Sequence, residues 1–238
     1  MGQASRSSTE MSRILFVDDD TSLQEFARTY LAMKGYAVLT ASDVKEGLKI
    51  ALESFPHCLV IDWILRDSSG IDLVEAVRRE PSLKLAPVLM ISARNLSPEH
   101  VAEAVDAGAD DFLAKPFNPM VLVAKIQALL RRASWQDNSK VAPQVIRHHD
   151  LTLNLTSRLA AIHGEPLGLT YTEFELLAYF LQHRGEAVDR PSLLGAISAH
   201  PDQVFHQVVD KHIENLRKKL GALAKNLETV RNVGYRLV

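Results

Sequence analysis

Short unbroken apolar runs recur through the first half of the chain, at Ile14–Val17, Ala37–Leu39, Cys58–Ile61, Val88–Ile91 and Phe112–Ala114. Between them the spacing turns helical, as in Leu23, Phe26, Ala27, Tyr30 and Leu31. Strands buried on both faces of a parallel sheet read as such runs, and each needs a crossover helix to reach the next. Five βα units in about 120 residues predict an α/β, doubly wound, five-stranded parallel sheet. Met120–Leu130 makes the fifth helix, and Arg131 and Arg132 suit the negative end of its dipole. This unit is placed at residues 12–132.

The pattern then changes. Residues 133–146 are polar with one proline and read as a linker. Leu151, Leu153 and Leu155 alternate with Thr152, Asn154 and Thr156, the signature of a half-buried strand. Arg158–Ile162 and Leu167–Leu169, on either side of His163-Gly164-Glu165, complete an expected small antiparallel sheet. Thr170 with Glu173 three residues on fits a capping box at the start of a helix. Two further helices are expected at about 190–198 and 204–220, then a terminal hairpin over 229–238. Three helices and a hairpin predict an α+β winged-helix unit over 147–238.

The composition is that of an ordinary globular chain, 47% hydrophobic and 24% charged. The formal net charge of -2 excludes a global field drawing in nucleic acid, so any such contact must be local. Residues 1–132 hold 15 Lys and Arg against 18 Asp and Glu, whereas residues 133–238 hold 12 against 11 and seven of the nine histidines. The lone Cys58 excludes an internal disulfide framework and any multi-cysteine metal site. No apolar run approaches the length of a membrane span, and Ser-rich Met1–Glu10 lacks a signal-peptide core. A cytoplasmic protein without membrane contact is expected, with Met11 as an alternative start.

Ligands of open α/β sheets sit at the carboxyl ends of the strands. Asp18 and Asp19 lie just past the first apolar run, Asp62 ends the third, Ser92 the fourth and Lys115 the fifth. Three carboxylates in one crevice repel one another, and a divalent cation resolves the conflict; oxygen ligands favour Mg²⁺. Asp62 is then placed as a nucleophile toward a phosphoryl group, with Lys115 and the Ser92 hydroxyl steadying its oxygens. Taken singly, Asp18–Asp20 fits a solvated loop or helix cap, and Asp62 a turn residue. Their joint placement on separate strand ends favours the site.

These stretches resemble the receiver domain of two-component response regulators, a flavodoxin-like fold. They are Ile14–Asp20, Leu59–Asp62 running to Gly70, Pro87–Arg94 and Gly108–Phe117. The resemblance implies that Asp62 is the phosphoacceptor and that Asp18, Asp19, Asp62 and the Ile64 carbonyl hold Mg²⁺. It also implies that Ser92 and Lys115 sense the phosphoryl group while Phe112 is the aromatic switch. Arg66 stands where the family commonly has proline, Ser92 where it has threonine, and Phe112 where it has tyrosine.

On the third helix of the second unit, Val209, Ile213, Leu216 and Leu220 form a core stripe. Gln207, Lys211, Glu214, Asn215 and Lys218 are read as the opposite face, flanked by Arg217 and Lys219, with Arg231 and Arg236 in the hairpin. Such a helix fits a major-groove reader, but on these residues alone a solvated amphipathic helix is the favoured reading. Leu169–Leu177, Val209–Leu220, Thr229–Arg231 and Gly234–Arg236 resemble the winged-helix effector domain of OmpR/PhoB-type regulators. By that resemblance Arg190, His212, Thr229 and Tyr235 join the DNA-facing set. Gln207 and Val208 replace an Arg-Thr pair, Ser198 a tryptophan and Asn232 a glycine, while Glu214 places an acid on the DNA face.

The resemblance further implies a sensor histidine kinase, promoter DNA and RNA polymerase as partners. Active receivers of this type pair through the fourth helix, fifth strand and fifth helix, with Asp110, Asp111, Lys125 and Arg132 in the ion-pair network. Val101 and Val121 replace one of its charged pairs. These valines fit an apolar dimer contact or simply their own core. A phosphorylation-promoted homodimer is the leading expectation; a signalling adaptor whose winged helix binds protein is the alternative. A phosphatase is disfavoured, because Ile64 stands where a second carboxylate would serve as general acid–base.

Overall fold

The computed structural model of the chain describes residues 11–93, 98–133, 144–197 and 206–238; the side chains of Pro98, Arg132, Ala133, His206 and Gln207 lie outside that description. The first unit runs β1 (Arg13–Val17), α1 (Thr21–Met33), β2 (Ala37–Ala41), α2 (Val44–Ser54) and β3 (Cys58–Asp62). A small hairpin follows, β4 (Ile64–Leu65) and β5 (Ser68–Ser69), turning at Arg66 and Asp67. Then come α3 (Gly70–Arg79), β6 (Val88–Ser92), α4 (Pro98–Ala107), β7 (Asp111–Ala114) and α5 (Pro119–Ala133). The sheet order is β2-β1-β3-β6-β7, parallel throughout.

Alternation along the strands divides two cores. Leu15, Val17, Leu59, Ile61, Met90 and Phe112 point to the side of α2, α3 and α4. Ile14, Phe16, Val60, Leu89, Ile91 and Leu113 point to α1 and α5. Side-chain caps start the helices where the strands end. Asp20 accepts from Ser22 and Leu23 N–H, Asp43 from Glu46 N–H, and Ser69 closes a capping box with Asp72.

The second unit opens with a four-stranded antiparallel sheet of order β11-β10-β9-β8, formed by β8 (Val145–His148), β9 (Leu151–Asn154), β10 (Leu159–Ile162) and β11 (Glu165–Pro166). β8 begins inside the stretch expected to be linker. The last strand falls at Glu165–Pro166 rather than Leu167–Leu169, because the turn at His163 and Gly164 is only two residues long and pairs Ile162 with Glu165. Next come α6 (Tyr171–Gln182), β12 (Val188–Asp189), α7 (Arg190–Ile197), α8 (His206–Leu220), a 3₁₀ turn, β13 (Leu227–Val230) and β14 (Gly234–Leu237). Thr170 and Glu173 form the expected capping box of α6. β12 adds to the terminal hairpin, in the order β12-β14-β13. Asn232 takes φ +58° in the wing, a backbone that asparagine tolerates where the family has glycine. The core stripe of α8 packs with Leu176, Phe180, Leu193 and Leu237. Ser198 and most of the expected linker lie outside the described residues, among which no helix is long and apolar enough to cross a membrane.

One buried ion pair stands between β7 and α5. The Lys125 ammonium, fully buried, donates to both oxygens of Asp111 at 2.8 Å, and Phe112 N–H supplies a further bond. Lys125→Ala removes the ammonium that meets both oxygens of that buried carboxylate, and a loss of about 3–5 kcal/mol is expected. Urea unfolding of the full chain, followed in the first unit, measures it.

Candidate functional site

The carboxyl ends of β1, β3, β6 and β7 deliver the predicted pocket residues to one place. Asp18 is buried, Asp62 is 7% exposed and Asp19 is half-buried, each with a ligand oxygen within 4.8 Å of the others. The Lys115 ammonium bridges them, donating to Asp18 Oδ2 at 2.7 Å and to Asp62 Oδ2 at 2.6 Å. Asp20 N–H donates to Asp18, and Ile64 N–H to Asp62. Asp20, third of the acidic run, is the helix cap and not part of the trio.

Burial is the main reason the Asp62 pKa lies above the ordinary carboxylate value; Asp18 adds to this and Lys115 opposes it. Burial works against the Lys115 ammonium as well, yet its bonds to Asp18 and Asp62 prevail and raise its pKa. Ser92 is buried at the end of β6, and its carbonyl accepts from Lys115 N–H at 2.7 Å. Phe112 is buried in the cluster that includes Trp63 and Val101. Trp63, next to Asp62, meets the His100 ring of α4 edge-on at 5.7 Å.

Gly70 is a site residue that sequence reasoning left without a role. Its N–H donates to Trp63 O, and a Cβ there would lie 1.9 Å from the Asp62 carbonyl oxygen. Only glycine lets α3 start against the backbone that carries Asp62.

The second predicted surface is divided. Arg190, Arg217, Thr229 and Tyr235 form one network across α7, α8 and the wing. Arg190 pairs with Asp210 at 2.7 Å, and Tyr235 Oη donates to the same carboxylate. Arg217 donates to Leu227 O and to Thr229 Oγ1, and both guanidinium groups lie over the Tyr235 ring. Arg231 and Lys218 are exposed, and Glu214 pairs with Lys211 and Lys218. The side chain of Gln207 lies outside the described residues.

Lys211, His212 and Asn215 do not sit with the solvent-facing group, as the simple two-faced helix implied. They occupy a third side of α8, turned to α4 of the first unit. Lys211 and Asn215 both donate to Asp106 at 3.0 Å, while His212 is 1% exposed. The N-terminus of α6 adds a second contact. Thr172 N–H donates to Asp110 Oδ1 at 2.9 Å, its hydroxyl reaches the same residue, and Tyr171 enters the α5 side of the first core.

The expected dimer residues are therefore engaged within the chain. Asp110 is held by Arg78, Val88 N–H and Thr172, and Asp111 by Lys125. Val101 is buried in its own core and Val121 packs partly against the other. The Arg132 side chain lies outside the described residues.

An acidic strand-end pocket on a doubly wound sheet, joined to a winged helix, is the layout of a two-domain response regulator. Residues 14–127 match the response regulator receiver domain, and residues 164–237 match the family described as transcriptional regulatory protein, C terminal. The chain is 34% identical over 224 residues to the phosphate regulon transcriptional regulatory protein PhoB of Pseudomonas aeruginosa, covering 94% of this chain and 96% of that protein. It is 35% identical over 234 residues to the transcriptional regulatory protein CpxR of Escherichia coli K12, covering 96% and 99%. A solved RitR variant shares the fold at 23% identity and a TM-score of 0.73, covering 95% of this chain and 99% of that one. The chain belongs to the OmpR/PhoB-type response regulators and carries a receiver and a DNA-binding domain.

Gly70→Ala forces the Asp62 segment to shift and is expected to cost about 1–3 kcal/mol. Gly195→Ala, in α7 with nothing within 4 Å of the added carbon, is expected to stabilise by up to about 1 kcal/mol. Denaturation midpoints of the two variants should move in opposite directions.

Proposed function

We propose that Asp62 accepts a phosphoryl group from the phosphohistidine of a sensor histidine kinase, and that this acylphosphate controls binding to promoter DNA. A carboxylate oxygen of Asp62 attacks phosphorus, the P–O bond forms as the P–N bond breaks, and the departing imidazole takes up a proton. The observation that carries this reading is the Lys115 ammonium held against both Asp18 and Asp62, where the oxygens of an incoming phosphoryl group need a positive charge.

The donor set fits Mg²⁺, being oxygen only and acidic. Asp18, Asp19, Asp62 and the Ile64 carbonyl would hold it, and when bound it supplies charge neutralisation for the phosphoryl oxygens. Asp62 needs to be ionised to attack, and a bound cation would offset the burial that raises its pKa. Ser92 is placed to hydrogen-bond a phosphoryl oxygen through its hydroxyl. Phe112, in the same buried cluster as Val101 of α4, links the strand end to that helix.

The C-terminal unit contacts DNA through α8 and the wing, with Lys218 and Arg231 already open to a phosphate backbone. A homodimer supplies two such contacts, so effective concentration multiplies the affinity. The relatives are transcriptional regulators by name, which favours DNA over a protein as the target of the winged helix. A cytoplasmic location and RNA polymerase as a further partner follow from the same reading.

Labelled acetyl phosphate with Mg²⁺ is expected to label the full chain at one site, and Asp62→Ala to reduce labelling at least tenfold. Equal labelling of the variant overturns the assignment. Trp63 fluorescence is expected to respond to Mg²⁺ alone, and Asp19→Asn to weaken that response at least tenfold.

A further inference from the structure

We propose that the cleft between the end of α3 and the last turns of α8 binds a small diphosphate-type anion, with the ammonium groups of Lys84, Lys218 and Lys219 as its recognition elements. The cleft is a cavity of about 470 Å³. Its walls are the C-terminal ends of α3 and α4, the entry to α6 and one side of α8. In a parallel βα sheet the helices run back against the strands, so Arg78 and Gly108 lie by the starts of β6 and β7. Asp62 and Lys115 stand at the opposite ends of those strands. The cleft is therefore a second site, separate from the acidic pocket, and it does not depend on phosphorylation of Asp62.

The receiver wall is built around Arg78. Its guanidinium donates to Gly108 O, Lys84 O, Ala86 O and Asp110 Oδ2, which occupies every N–H it has. No donor is left for a ligand, but the chain at Lys84 and Ala86 is fixed. Lys84 reaches from this anchored loop to the second unit, where the bare Cα of Gly168 leaves room for its head group. A Cβ on Gly168 would lie 2.5 Å from Lys84 Nζ. The ammonium has no ion-pair or hydrogen-bond partner among the described residues. Each neighbouring acid, by contrast, already has its cation. Asp106 is held by Lys211, Asp110 by Arg78, Glu173 by Lys219 and Glu214 by Lys218. Lys84 is the charge left over, half-buried in a cleft that offers it no counter-ion.

The chemistry of these groups selects the ligand. Ammonium heads are point charges without the planar fork that matches a carboxylate, and they suit a compact, highly charged phosphate. Lys84 stands on the receiver wall, whereas Lys218 and Lys219 stand on α8, so an anion charged at both ends meets both walls. Each ammonium of α8 has three donors and can keep its glutamate while it takes a ligand oxygen. The entry to α6 adds the positive end of a helix dipole, but not bonds. Thr172 N–H is spent on Asp110, and Glu173 N–H on Thr170 Oγ1. Val105 and Leu169 supply apolar lining, which suits the organic part of a nucleoside diphosphate. A nucleic-acid duplex is too wide to enter, so the site is one for small molecules.

Calorimetric titration of the full chain tests this, at low ionic strength with orthophosphate, pyrophosphate and ADP as probes. Leaving out Mg²⁺ keeps the probes from the acidic pocket, whose carboxylates repel them. Pyrophosphate and ADP are expected to bind about tenfold more tightly than orthophosphate and to raise Tm. Lys84→Ala is expected to weaken pyrophosphate binding about tenfold, as the loss of one charge-assisted bond does. Gly168→Asp places a carboxylate beside the same ammonium from the other domain and should weaken it as much. Lys49→Ala, at an exposed position of α2 outside the cleft, should change nothing. Melting without ligand verifies that each variant is folded. Tighter binding of ADP than of pyrophosphate supports a nucleotide ligand, and the reverse supports an inorganic one. Absence of diphosphate binding, or equal binding by Lys84→Ala, overturns the site. Equal affinity for orthophosphate and pyrophosphate, or full binding by Gly168→Asp, overturns recognition by both walls.

Discussion

The ammonium of Lys115 holds together a site that electrostatics would otherwise push apart. Two carboxylates at adjacent strand ends, with a third beside them, cannot stay ionised in a buried crevice unless positive charge stands among them. The bond from Lys115 N–H to Ser92 O places that charge at the end of β7. Everything downstream uses this placement. The pocket gathers three carboxylates whose oxygens lie within 4.8 Å of one another. It is also joined to strands whose other residues fill the receiver core.

The route from that pocket to the second domain is short. Trp63 follows Asp62 and touches His100 on α4, and Phe112 lies two positions along from the strand-end Ala114. Both aromatic residues belong to the buried cluster that takes in Val208. Trp63, Phe112 and Val208 are thus parts of one packed interior, in which side chains interdigitate at close-packed density. The same α4 that carries Asp106 on its outer side carries Val101, Ala104 and Val105 on its inner side.

Charged residues do three different jobs in this chain, and position alone sorts them. Asp18 and Asp62 share the Lys115 ammonium at the strand ends. Asp110, Asp111, Arg78 and Lys125 are paired inside the receiver, where polar satisfaction pins β7 and α5 in register. Arg190, Asp210, Arg217 and Tyr235 brace the winged helix. Charges placed in this bracing network are costly to remove one at a time, which separates them from exposed Arg231 and Lys218.

The sequence by itself determined the two-domain organisation, the strands of the parallel sheet and the convergence of the strand-end residues. Apolar runs and strand-end carboxylates are local patterns, and the parallel crossover rule converts them into one crevice. Cap residues such as Thr170 and Glu173 were legible for the same reason, since both partners lie within one turn. What only the tertiary structure decided was which side of α8 meets water, and which partner Asp110 takes. A helix wheel shows that Val209, Ile213, Leu216 and Leu220 face a core, but it cannot show that a second protein surface covers a third side. Asp106 lies more than a hundred positions from Asn215, Asp110 lies 62 from Thr172, and no periodicity spans such separations. Gly70 was silent likewise, because the constraint on it is a backbone oxygen brought close by the fold, and that approach leaves no mark on neighbouring residues.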